Sequence, residues 1–130
     1  MSSLEEAAAA RGLPVSAIVK SLVLRRGEDD YLFVLVPGGR KLSWPKLRTL
    51  LGVNRLSLPD AEDALARTGY RRGTITPFGS TTAWPVVADA TLAGREISIG
   101  AGADGVTAVL LADDAFAALG ALVADVTEPE

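Results

Sequence analysis

Six consecutive apolar residues, Tyr31-Leu32-Phe33-Val34-Leu35-Val36, stand between the acidic turn Glu28-Asp29-Asp30 and the punctuation Pro37-Gly38-Gly39. The run is far shorter than the roughly 20 residues of a membrane helix. It also has no alternating polar position that would suit a half-exposed strand. It therefore predicts a strand buried on both faces, which must be covered by other elements of the chain.

Those elements are legible on either side. Ser2 with Glu5, or Ser3 with Glu6, fits a capping box opening a helix over Leu4–Arg11, stopped by Gly12. Pro14 to Ala17 forms a short turn, and the branched apolar run Ile18 to Leu24 predicts a strand. Ser43 caps a helix from Trp44 to Leu51, with Pro45 in its first turn and Gly52 after it. Val53 to Leu58 is expected as a short strand, and Asp60 caps a helix from Ala61 to Thr68 that Gly69 ends. Gly73-Thr74-Ile75-Thr76-Pro77-Phe78-Gly79 has too much Gly and Pro for a central strand and reads as a shaped loop.

Trp84–Ala88, Glu96–Gly100, Val106–Leu111 and Ala121–Val126 are expected strands. Gly100 to Gly105 is expected as a turn, and Asp113 or Asp114 starts a helix through Leu119. Val126 to Glu130 reads as a loose, flexible tail. With 130 residues, no repeat and no linker, the expectation is a single α+β (mixed α/β) domain over residues 1–130, with a central mixed β-sheet and packed helices.

Composition narrows the chemistry. The chain has no His and no Cys. A Ser-His-Asp triad and a Cys-His dyad are both excluded. Zinc sites rely mainly on the same two residues, so a zinc hydrolase is not expected; no pair of acids demands another metal, and no cofactor is expected. The net charge of −3 is unevenly spread: Arg11 to Arg95 carries +6, whereas Glu96 onward carries −7 and no base. One face can thus hold a phosphate-rich ligand, with ordinary surface solvation as the alternative. The start of the chain is acidic and lacks a cationic leader, so a cytoplasmic setting without a membrane partner is expected.

Three features could carry chemistry. Lys20 lies among apolar residues on the first strand, where its amine either reaches solvent or points into a cleft as a fixed cation. The glycines of the 73–79 loop let backbone N–H groups approach a ligand, and Pro77 stiffens it; a plain connecting turn is the alternative. Gly100-Ala101-Gly102-Ala103-Asp104-Gly105 matches G-x-G-x-x-G, but a strand follows it instead of a helix. The dinucleotide reading therefore fails, and a strand-joining turn stands in its place. Arg71 and Arg72 could contact the phosphates of a ligand or simply be solvated.

In order along the chain, Ile18-Val19-Lys20-Ser21-Leu22, then Leu35-Val36-Pro37-Gly38 with Arg40-Lys41-Leu42, resemble conserved-order segments of one family. Thr68-Gly69-Tyr70 with Gly73-x-x-x-Pro77-Phe78-Gly79, then Trp84-Pro85-Val86-Val87-Ala88-Asp89 and the Gly100–Gly105 turn, complete the match. The set resembles the YbaK/EbsC family of aminoacyl-tRNA deacylases, which includes the editing domain of prolyl-tRNA synthetases. The resemblance runs from about Leu4 to Asp125.

It implies a pocket for the aminoacyl end of tRNA. Lys20, Gly73, Gly100, Ala101 and Gly102 would be catalytic, and Ser21, Thr74, Thr76, Pro77, Phe78, Gly79 and Thr107 would bind substrate. Arg71 and Arg72 would hold tRNA phosphates. The family carries a further N-terminal strand and loop, whereas this sequence is read from its first capped helix. Some members have a His in the second glycine loop, or an Asp where Thr107 stands here.

The implied function is trans-acting hydrolysis of a mischarged tRNA bearing a small amino acid, with tRNA(Pro) the expected tRNA. The partner is the aminoacyl-tRNA acceptor end; a synthetase partner stays open, and no DNA partner is expected. The competing reading is a non-catalytic aminoacyl-, nucleotide- or tRNA-binding module on the same fold.

Overall fold

A computed structural model describes residues 4–71, 74–103 and 106–130. The central run forms β2 (Asp30–Pro37), with every residue from Tyr31 to Pro37 buried. It pairs antiparallel with β1 (Val19–Gly27) and parallel with β4 (Val86–Asp89). β4 pairs parallel with β7 (Leu122–Ala124), giving a mixed four-stranded sheet in the order β1-β2-β4-β7.

Strand alternation divides the core in two. Tyr31, Phe33 and Leu35 face one cluster with Ala64, Ile97, Ile99 and Phe116. Leu32, Val34 and Val36 face the other with Leu47 and Val126. Burying each of these large β2 side chains contributes about 1.5–3 kcal/mol, which is why the strand lies inside the sheet.

Around the sheet lie α1 (Leu4–Arg11), α2 (Trp44–Leu51), α3 (Ala61–Thr68) and α4 (Ala112–Leu119). α2 covers the Leu47 face; α3 and α4 cover the other, beside a hairpin of β5 (Glu96–Ala103) and β6 (Val106–Leu111). As expected, the Ser43 Oγ accepts from Lys46 N at 3.4 Å and Asp60 Oδ1 accepts from Asp63 N at 2.8 Å. Tyr31 locks α3 to the sheet. Its hydroxyl donates to Asp63 Oδ2 at 2.5 Å, and its ring lies 5.2 Å from that of Trp84 and 4.9 Å from the Arg67 guanidinium carbon.

Four expectations need correction. The C-terminal residues are not a loose tail: Thr127–Pro129 form β8, antiparallel to β3 (Arg40–Leu42). Val126 and Thr127 are fully buried, and Thr127 Oγ1 accepts from Arg40 Nε at 2.7 Å. A polar composition concealed pairing with a partner strand far away in sequence. Val53–Leu58 is no strand: a single bridge ties Ser57 to Arg25, and Pro59, which has no N–H to donate to a ladder, follows directly before the Asp60 cap. Gly100–Ala103 continue β5 and so are not wholly a turn. α4 has Leu111 as its N-cap with no side-chain bond, while Asp113 Oδ1 accepts from Gly94 N at 2.9 Å. The capping residues Ser2 and Ser3 lie outside the described residues.

Candidate functional site

The edge strand β1 borders a cavity of 520 Å³. Val19, Lys20, Ser21 and Val23 form one wall, and Leu58, Pro59 and Ala64 of α3 another. Ile75 and Gly100 close it. The first glycine-bearing loop and the β5 strand thus meet at one cavity with β1. A β carbon at Gly100 would lie 3.7 Å from the Ile75 carbonyl oxygen, so the two segments touch there.

Lys20 is at the rim. On β1 it shares a face with Leu22 and Leu24, while Ser21 shares the opposite face with Val19 and Val23. The Lys20 ammonium donates to the Arg40 carbonyl at 2.9 Å and lies 3.5 Å from Glu130 Oε1. It is therefore directed toward the β3–β8 corner instead of straight at Gly100. Lys20 also borders an adjoining hollow of 480 Å³ with Trp44, Lys41 and Glu128. The Ser21 hydroxyl is buried and has no hydrogen-bond partner among the described residues. A buried hydroxyl without a partner loses about 1–3 kcal/mol of solvation, and a ligand in the cavity could restore that bond.

The other expected residues divide by role. Thr74 and Thr76 are buried and shape the loop: Thr74 Oγ1 donates to the Arg71 carbonyl at 2.7 Å, and Thr76 Oγ1 accepts from Phe78 N at 3.3 Å. Pro77 is buried, Phe78 is partly buried against the core, and Gly79 is exposed. None of these five lines the cavity itself, nor do Ala101, Gly102 or Arg71. Thr107 is exposed, stands opposite Gly100 in the hairpin register and accepts from Arg11 Nε at 3.1 Å, but does not line the cavity. Gly73 and Arg72 lie outside the described residues.

The sequence reading assigned no site role to four residues that shape the cavity or its loops. Leu58, Pro59 and Ala64 line the cavity, and only Pro59 carried a local signal, as a break before the Asp60 cap. Tyr70 joins the two glycine segments. Its hydroxyl donates to the Phe78 carbonyl at 2.5 Å; a β carbon on Gly79 would meet that hydroxyl, and one on Gly102 would meet the ring. The glycines are small there because an aromatic ring fills the space.

The fold and cavity define a small α+β pocket domain with neither His nor Cys, open at a sheet edge. The model of the aminoacyl-tRNA editing domain matches residues 1–117, and the chain belongs to that family. It is 37% identical over 78 residues to a proline–tRNA ligase of Thermosipho africanus, covering 60% of this chain and 14% of the ligase. With the corresponding ligase of Thermosipho melanesiensis it is 38% identical over 87 residues, 67% of this chain and 15% of that protein. The chain thus spans about one-seventh of the length of these ligases. A solved structure described as a proposed trans-editing enzyme for prolyl-tRNA synthetase superposes with a TM-score of 0.87 at 34% identity, covering 97% of this chain and 80% of that one. A second, of a hypothetical protein, gives 0.87 at 29% identity, covering 97% and 84%. The expected family and mixed fold are therefore both found. No described helix is long and apolar enough to cross a membrane.

Proposed function

We propose that this domain hydrolyses the ester of a mischarged tRNA carrying a small amino acid, with tRNA(Pro) as its tRNA and without a metal ion. The observation that carries the reading is the shared cavity, which the Ser21 hydroxyl, without a hydrogen-bond partner among the described residues, and Gly100 line together, with Lys20 at its rim. Family membership and the proposed trans-editing neighbour support it.

An aminoacyl ester is activated by its own ammonium group. The protein has mainly to hold it, position a water and stabilise the developing oxyanion. Ser21 would hydrogen-bond the aminoacyl group, and Lys20 at the rim would face the terminal phosphate. The proton acceptor would come from the substrate, which suits a chain without His or Cys. Val19, Val23, Leu58 and Ala64 supply an apolar wall that limits side-chain size. Such packing separates substrates by only about 1–3 kcal/mol per methylene, so editing serves small amino acids that a synthetase pocket admits.

The test is amino-acid release from tRNA(Pro) charged in turn with Ala, Ser, Cys and Pro. Release of one small amino acid, with Pro-tRNA spared, is the expected result. Binding without release from any of the four would overturn the enzyme reading in favour of a binding module.

A further inference from the structure

A second hollow, of 540 Å³, opens further along the same edge strand and is lined by Arg25, Arg26, Arg48 and Arg55 with Asn54 and Ser57. Two backbone bonds hold its frame: Arg25 N donates to Ser57 O at 2.8 Å and Ser57 N to Arg25 O at 3.0 Å. The four arginines differ in how much of their charge is matched. Arg26 is matched by Asp30, with Nε and Nη2 each 3.0 Å from a carboxylate oxygen. Arg25 gives one donor to the Gly27 carbonyl at 3.2 Å, and its charge also helps hold the Asp63 carboxyl pKa down, so it is partly matched. Arg48 and Arg55 make no ion pair with a described residue. Arg48 lies in the last turn of α2, where a cation complements the helix dipole, but that gives no reason for Arg25 and Arg55 to line the same hollow.

Like charges gathered around one depression repel unless an anion joins them. Guanidinium groups suit phosphate oxygens, which they grip through two parallel N–H bonds. The hollow is also placed in register with the cavity. Ser57 lines one and Leu58 the other, and β1 runs from Ser21 at the cavity to Arg25 at the hollow. Four strand residues span about 13 Å. That distance suits the short unpaired end of an RNA strand whose duplex lies at the arginines.

We infer that the Arg25–Arg48–Arg55 hollow is a docking site for the sugar-phosphate backbone of a tRNA acceptor stem, setting the register of the 3′ end in the cavity. The occupant follows from the proposed deacylase activity; the charge and the geometry stand without it. The site is separate from Arg71 and reads no bases, so it should act on any acceptor stem alike.

The test pairs wild type with R48Q/R55Q, both surface changes outside the cavity. Affinity for an uncharged tRNA(Pro) transcript is followed by fluorescence anisotropy across a salt series. The double variant should bind at least about tenfold more weakly. Its slope of log affinity against log salt should fall by about two. Hydrolysis of a small aminoacyl-adenosine ester, which fills only the cavity, should be unchanged. Equal affinity and equal slope in the two proteins would overturn the docking site, whatever the activity. Conversely, arginine-dependent binding by a wild type that releases no amino acid would uphold the docking site and remove the deacylase reading instead.

Discussion

The Tyr70 ring occupies the space beside Gly102: a β carbon there would stand 2.7 Å from Tyr70 Cε1, and Gly102 has φ +93°. The ring thus clasps the β5 strand end to the loop that closes the cavity. Gly102→Ala should be doubly unfavourable. The left-handed backbone costs about 1–2 kcal/mol for an alanine, and the ring must also move. Gly120→Ala is the control, because Gly120 has φ +62° with nothing within 4 Å of the added carbon. Thermal unfolding should show the larger loss for Gly102→Ala, and only that variant should lose deacylation. Equal losses in the two proteins would mean that the ring contact has no bearing on the site.

Lys20→Ala should fold normally. Its ion pair with Glu130 is 3.5 Å long and largely exposed, so it contributes under about 1 kcal/mol. Turnover of the preferred mischarged tRNA should nevertheless fall by ~10²-fold, the scale of losing one well-placed electrostatic group. Parental turnover in the variant would remove Lys20 from the site.

Ser21 and Ser98 share one defect in the fold and should differ in function. Both hydroxyls are buried without a partner among the described residues, but only Ser21 lines the cavity. Alanine at either position removes an unsatisfied group, so each variant should be about 1 kcal/mol more stable by denaturant unfolding, or unchanged. Only Ser21→Ala should lose activity, by about tenfold. Matching kinetics for the two variants would deny the Ser21 hydroxyl a role in substrate binding.

Acid should unfold the domain through Asp89. Burial alone would raise the pKa of this carboxyl, yet hydrogen bonds from Thr91, Val126 N and Thr127 outweigh it and hold the pKa below the ordinary value. The stabilisation is therefore present above the unfolded carboxyl pKa of about 4 and is lost as pH falls through the lower, folded value. Asp63 acts in the same direction, held down chiefly by the Tyr31 hydroxyl, then by Arg67, against burial. Tyr31 is raised in turn, first by its bond to Asp63 and then by burial. Its share of the stability is complete below about pH 10 and is lost as pH rises through its folded value. Melting temperature should be flat between these limits and fall on both sides. A melting temperature that holds constant well below pH 4 would contradict the role given to Asp89.

The sequence alone determined the elements whose signals are local. The run Tyr31–Val36 could only be an interior strand, and Ser43 and Asp60 set the starts of α2 and α3 because each cap acts within three residues. The ordered motifs were sufficient to indicate the family. Tertiary structure alone decided what depends on distant neighbours. Val126–Glu130 looks like a tail until Arg40 and Lys41 lie beside it, and the choice between solvent and cleft that the strand pattern leaves open for Lys20 is decided by the Arg40 carbonyl and Glu130, which draw its ammonium to the rim. The packing of Tyr70 against Gly102 and the arginine hollow were not legible for the same reason: both join residues far apart in the chain, and no local pattern records such contacts.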